Sequence, residues 1–60
     1  MLTYIEVKTG SQSATTEKVA EIMAEAHGLG YNASTVALRV VPIGDTEEVE
    51  YCQTVWITPR

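Results

Sequence analysis

Ser34-Thr35-Val36-Ala37-Leu38-Arg39-Val40-Val41-Pro42-Ile43-Gly44-Asp45-Thr46-Glu47-Glu48-Val49-Glu50-Tyr51-Cys52-Gln53-Thr54-Val55-Trp56-Ile57-Thr58 decides the fold of this chain. Two alternating runs flank a short break. Over 34–41, Val36, Leu38 and Val40 share one face, and Ala37, Arg39 and Val41 the other. Over 49–58, Val49, Tyr51, Gln53, Val55 and Ile57 alternate with Glu50, Cys52, Thr54, Trp56 and Thr58. Period two with β-branched residues predicts two strands. Pro42-Ile43-Gly44-Asp45 breaks the first, and Pro59 ends the second. Asp45-Thr46-Glu47-Glu48 reads either as a capped helical turn or as the tip of a hairpin. The gap is about seven residues, whereas a parallel crossover needs roughly ten to twelve. A hairpin fits better, so this pair is expected to be antiparallel.

Upstream, residues 2–9 also alternate. Ile5 and Val7, with Thr3 and Thr9, face one side; Tyr4, Glu6 and Lys8 face the other. This predicts a strand with one wet face. Gly10-Ser11-Gln12-Ser13-Ala14-Thr15-Thr16 is small and hydroxyl-rich and reads as a loop. Over 15–27, Val19, Ile22, Met23 and Ala26 form one apolar stripe at helical spacing. Ser13, Thr15 or Thr16 is the expected cap, and Glu17 suits the positive end of the dipole. His27 falls in the last turn, and Gly28 or Gly30 is placed to take the left-handed cap.

The order is β-α-β-β. Every strand carries polar residues on one face, whereas a sheet covered on both faces reads as continuous apolar runs. The expected class is α+β: a two-layer domain spanning 1–60, a three-stranded sheet with one helix on one face. The alternative is half of a larger parallel α/β fold.

Sixty residues make at most one domain, and a chain of this length buries only about 60% of its unfolded surface. Small domains are commonly stapled by disulfides, a metal or a partner chain. Cys52 is the only cysteine, so no internal disulfide forms. Cys52 and His27 are too few for a protein-only zinc site. A homo-oligomer or a larger protein partner is therefore expected.

Eight acids against four bases give a net charge of −4. Lys8, Lys18, Arg39 and Arg60 are scattered, which excludes nucleic-acid binding and an acidic membrane surface as main functions. No apolar run approaches the roughly 20 residues of a membrane span. Met1 to Glu6 lack the pattern of a secretory signal. With a lone cysteine, this points to the cytoplasm. Asn32-Ala33-Ser34 matches a glycosylation sequon, which carries no meaning there.

The loop at Gly10–Thr16 joins a strand to a helix N-terminus. Backbone N–H groups, the helix dipole and several hydroxyls make such a junction a ready anion site. The plainer account is that hydroxyl residues simply cap the helix. Ser11-Gln12-Ser13-Ala14-Thr15-Thr16-Glu17-Lys18-Val19-Ala20-Glu21 resembles the FMN phosphate loop and first helix of flavodoxins. Ser11, Ser13, Thr16 and Ala20 fit that family's hydroxyl and alanine places, and Ala14 stands where glycine is usual. The resemblance continues through Gly30-Tyr31 and Thr54-Val55-Trp56-Ile57-Thr58. It implies FMN as cofactor, with its phosphate held by Ser11, Ser13, Ala14, Thr15 and Thr16. The loops that sandwich the flavin ring in that family have no counterpart here. A fainter resemblance links Val7–Ser11 and Tyr51–Val55 to the first and third strands of dodecins, small β-α-β-β flavin proteins that assemble into shells. The tryptophan that stacks on flavin in that family is missing from 34–41.

Tyr4, Cys52 and Trp56 are expected on the outer sheet face, where Tyr4, Trp56 and Val41 would form a contact patch. His27 reads as a helix-end residue, Cys52 as a buried inert thiol, and Glu47, Glu48 and Glu50 as a solvated run. No nucleophile–base–orienter set is present, and no catalytic or metal-ligating residue is assigned. The expected function is a non-catalytic binding or assembly module, associating with itself or a partner, with the loop as its ligand site. The alternative is an FMN-dependent electron carrier completed by oligomerisation or another chain.

Overall fold

The computed structural model describes residues 3–60. The chain forms β1 (Thr3–Thr9), α1 (Gln12–Gly28), β2 (Tyr31–Thr35), β3 (Arg39–Pro42) and β4 (Val49–Pro59). Leu2, expected in the first strand, lies outside the described residues.

β4 is the centre of the sheet. β1 pairs with it from Thr3↔Ile57 to Thr9↔Tyr51. On its other edge β2 pairs from Tyr31↔Pro59 to Thr35↔Val55, and β3 from Arg39↔Cys52 to Pro42↔Val49. Every pairing is antiparallel. The class is thus α+β as expected, and the parallel alternative is not the one adopted.

The strand expected over 34–41 is corrected to two segments. Between them Val36, Ala37 and Leu38 oppose only Gln53 and Thr54, a one-residue bulge. Side chains carry the hydrogen bonding across it. The Thr35 hydroxyl donates to the Thr54 carbonyl at 2.8 Å. The Gln53 amide donates to the Val36 carbonyl at 2.9 Å and to the Thr35 hydroxyl at 3.0 Å. The extra residue reverses the alternation, because side chains along a strand repeat every two residues. Ala33 and Thr35 lie on the helix side, and past the bulge so does Val40 rather than Arg39 or Val41.

The turn after β3 is a hairpin tip. The Ile43 N–H donates to the Glu48 carbonyl at 3.1 Å, and the Thr46 N–H to the Ile43 carbonyl at 3.2 Å. Gly44 supplies a φ of 55°.

α1 lies on one face of the sheet. Val7, Val19 and Val55 are its buried centre, with Ile22, Met23, Ala33 and Ile57 packed around them. The helix starts earlier than the sequence suggests. Ser11 is the cap, its Oγ accepting from the Ala14 N–H at 3.0 Å. Gln12 to Thr16 therefore belong to the first turn and the start of the second, not to a loop, and Ser13, Thr15 and Thr16 are not caps. Glu17 falls beyond the first turn, which holds no acid. At the far end Leu29 is the C-cap, and Gly30 takes the left-handed conformation at φ 86°.

The radius of gyration is 12.8 Å, against about 10 Å for a compact chain of this length. The extents, 42 × 20 × 13 Å, give the reason. α1 packs on β1, β2 and β4 but not on β3. The β3–β4 hairpin continues the sheet beyond the helix as an arm.

Candidate functional site

The junction of β1 and α1 is held by a cluster of hydroxyls. The Thr9 hydroxyl donates to the Ser11 carbonyl at 2.7 Å, and the Ser11 N–H donates back to Thr9 Oγ1 at 3.1 Å. Thr15 Oγ1 is 2.7 Å from Thr9 Oγ1, and 3.1 Å from both the Ser11 and the Tyr51 carbonyls. Thr15 is fully buried. It ties the first turns of α1 to β1 and to the middle of the sheet.

These bonds sort the five residues that the sequence offered for a phosphate. Thr15 is framework: no ligand reaches it. The Ala14 N–H is already spent on the Ser11 cap, and the Ser13 hydroxyl is 3.2 Å from that of Ser11. Ser11, Ser13 and Thr16 line an open groove of about 730 Å³, shared with Gly10, Gln12 and Tyr51. Gln12 and Ser13 carry N–H groups that an α-helix leaves without an internal acceptor.

Glu17 and Ala20 also line this groove. Ser13, Thr16, Glu17 and Ala20 recur at helical spacing, so this flank was readable once the helix start was known. The Glu17 carboxylate opposes a phosphate, and among the described residues no lysine or arginine lines the groove to offset it.

The sheet face opposite the helix is the second candidate surface. Tyr4 and Trp56 stand opposite each other, ring centroids 5.3 Å apart. Cys52 shares this face, as the alternation implied, between Lys8 of β1 and Arg39 of β3. It is buried, with its Sγ 3.8 Å from Glu50 Oε1. Glu6 meets Arg39 at 3.3 Å and Lys8 at 3.9 Å. These are exposed pairs, each contributing under about 1 kcal/mol. His27 occupies the last turn of α1. No group of three or more potential metal ligands occurs among the described residues.

The third surface is the arm. On the helix side it presents Val40, Val49 and Tyr51, with Ile43 at the tip. Val40 is 56% exposed and Ile43 43%. These residues continue the apolar face that α1 covers elsewhere. The sequence missed this surface because nothing in the alternation says where the helix stops.

No protein-family model, no curated protein and no solved structure matches this chain. No helix among the described residues is long and apolar enough to cross a membrane.

Proposed function

We propose that this chain is a non-catalytic assembly module that associates with copies of itself. The observation that carries the proposal is the arm, whose apolar helix-side face extends past the helix. Among the described residues, only Val7, Val19, Ala26, Cys52 and Val55 form the buried apolar set. That core is thin, and burial of apolar surface stabilises at about 25 cal/mol per Å². Seating a second copy on Val40, Ile43 and Val49 adds the burial that the core lacks. The cytoplasm suits its single buried thiol. Sedimentation equilibrium over a wide concentration range tests the proposal, with Val40→Lys expected to weaken association.

A second reading makes the groove beside α1 a ligand site, with FMN or another phosphate ester held by Ser11, Ser13 and Thr16. The N–H groups of Gln12 and Ser13 favour it, and Glu17 opposes it. An FMN-dependent electron carrier would need a second chain to cover the flavin ring. Flavin fluorescence titration separates the two readings.

A further inference from the structure

β1 is an edge strand. β4 occupies one of its sides along Thr3–Thr9, and no strand among the described residues pairs with the other. α1 does not close that side. An open groove of about 440 Å³ follows the edge from Ile5 to Thr9, bordered by Ala14, Lys18 and Ile22 of the helix. An uncovered edge is a template for another strand. We propose that its occupant is β1 of a second copy, antiparallel, on a two-fold axis at Val7. The inference rests on the self-association proposed above and assigns it a second contact, separate from the arm.

The charges on β1 select the register. Glu6 and Lys8 lie on the same outer face, two residues apart. With Val7 opposite Val7 of the second copy, each Glu6 faces a Lys8, and the symmetry makes the pair twice. Opposite charges at such positions are favourable, and like charges are not. Moving the axis to Glu6 sets Glu6 against Glu6. Moving it to Lys8 sets Lys8 against Lys8. A two-fold axis between two residues is excluded, because it would set an outer-face side chain directly opposite a helix-side one, and opposed residues of a ladder share a face. A lysine on an edge strand commonly deters pairing; in the Val7 register it meets a glutamate, whereas an axis at Ile5 gives Glu6 only Tyr4 to face and one at Thr9 gives Lys8 only Gly10.

In the Val7 register the two sheets become continuous and both helices lie on one face. The apolar side chains along the joint are Ile5 and Val7, and Ile5 is 38% exposed in the single chain. Its covering adds the apolar term to the two ion pairs.

The test is a charge swap read by sedimentation velocity at low salt. Glu6→Lys and Lys8→Glu each turn the two attractive pairs across the joint into two repulsive ones. Within the chain, Glu6→Lys also breaks the pairs of Glu6 with Arg39 and Lys8, and Lys8→Glu breaks the pair of Lys8 with Glu6. Each variant alone should associate more weakly, the dissociation constant of the edge contact rising about 10-fold or more while the arm contact is retained. An equimolar mixture of the two variants should recover association, because every facing pair then joins a lysine of one variant to a glutamate of the other. The mixture also shows that both variants fold. The chain carrying both changes should associate like the wild type. Equal association of wild type and both single variants would overturn the register while leaving self-association standing. So would a mixture no tighter than its components. A wild type that stays monomeric throughout would overturn both proposals.

Discussion

Tyr4 and Trp56 face each other across β1 and β4, centroids 5.3 Å apart and planes inclined at 47°, on the side of the sheet that the helix leaves bare. This is a directly opposed cross-strand pair. Such aromatic pairs contribute about 0.5–1.5 kcal/mol beyond simple burial. It also fixes the β1–β4 register, since a slip of one residue would separate the rings. A double-mutant cycle of Tyr4→Ala and Trp56→Ala, read by chemical denaturation, should give a coupling energy of about that size. Coupling near zero would mean that each ring packs alone.

The hydroxyl cluster assigns different costs to neighbouring residues. Thr15→Val removes the side-chain donor to the Tyr51 carbonyl inside the fold. It should cost about 1–3 kcal/mol, the range for a buried polar group left unpaired. Ser11→Ala removes the cap and should cost about 1 kcal/mol. Thr16→Val, at an exposed position, should leave the melting temperature nearly unchanged. If FMN binds in the groove, Thr16→Val is also the substitution that should weaken it. Thermal melts of the three variants, with FMN titrations of wild type and Thr16→Val, check both halves.

Gly30 is the glycine whose backbone matters most at the helix end. Its φ of 86° is one that side chains avoid, although a Cβ there would meet nothing within 4 Å. Gly30→Ala should therefore destabilise by about 1 kcal/mol through backbone strain alone. Gly28→Ala, inside the helix and equally open, should be neutral or stabilising by a few tenths to about 1 kcal/mol. Equal melting temperatures for the two variants would contradict the αL assignment.

These residues show what the sequence could and could not display. The antiparallel hairpin was legible because its gap is too short for any crossover. The helix was legible from Val19, Ile22, Met23 and Ala26, which all reach the core or its margin. Its start was not. A run of hydroxyls reads as a loop until the partner of Thr15 is known, and that partner, Tyr51, lies 36 residues away. The bulge at Val36-Ala37-Leu38 was hidden for the same reason, because it depends on Gln53 and Thr35 meeting across two strands. The groove was half legible. Ser11, Ser13 and Thr16 do line it, while Thr15 and the Ala14 N–H serve the frame.

The central claim is self-association through an arm that the helix does not cover, and the mass of the free chain in solution tests it most directly. Light scattering from about 10 μM to about 1 mM should give a mass above 6.6 kDa that rises with concentration. Val40→Lys should shift that rise to higher concentration. A wild-type mass fixed at 6.6 kDa across the range, with a cooperative melt independent of concentration, would contradict the account.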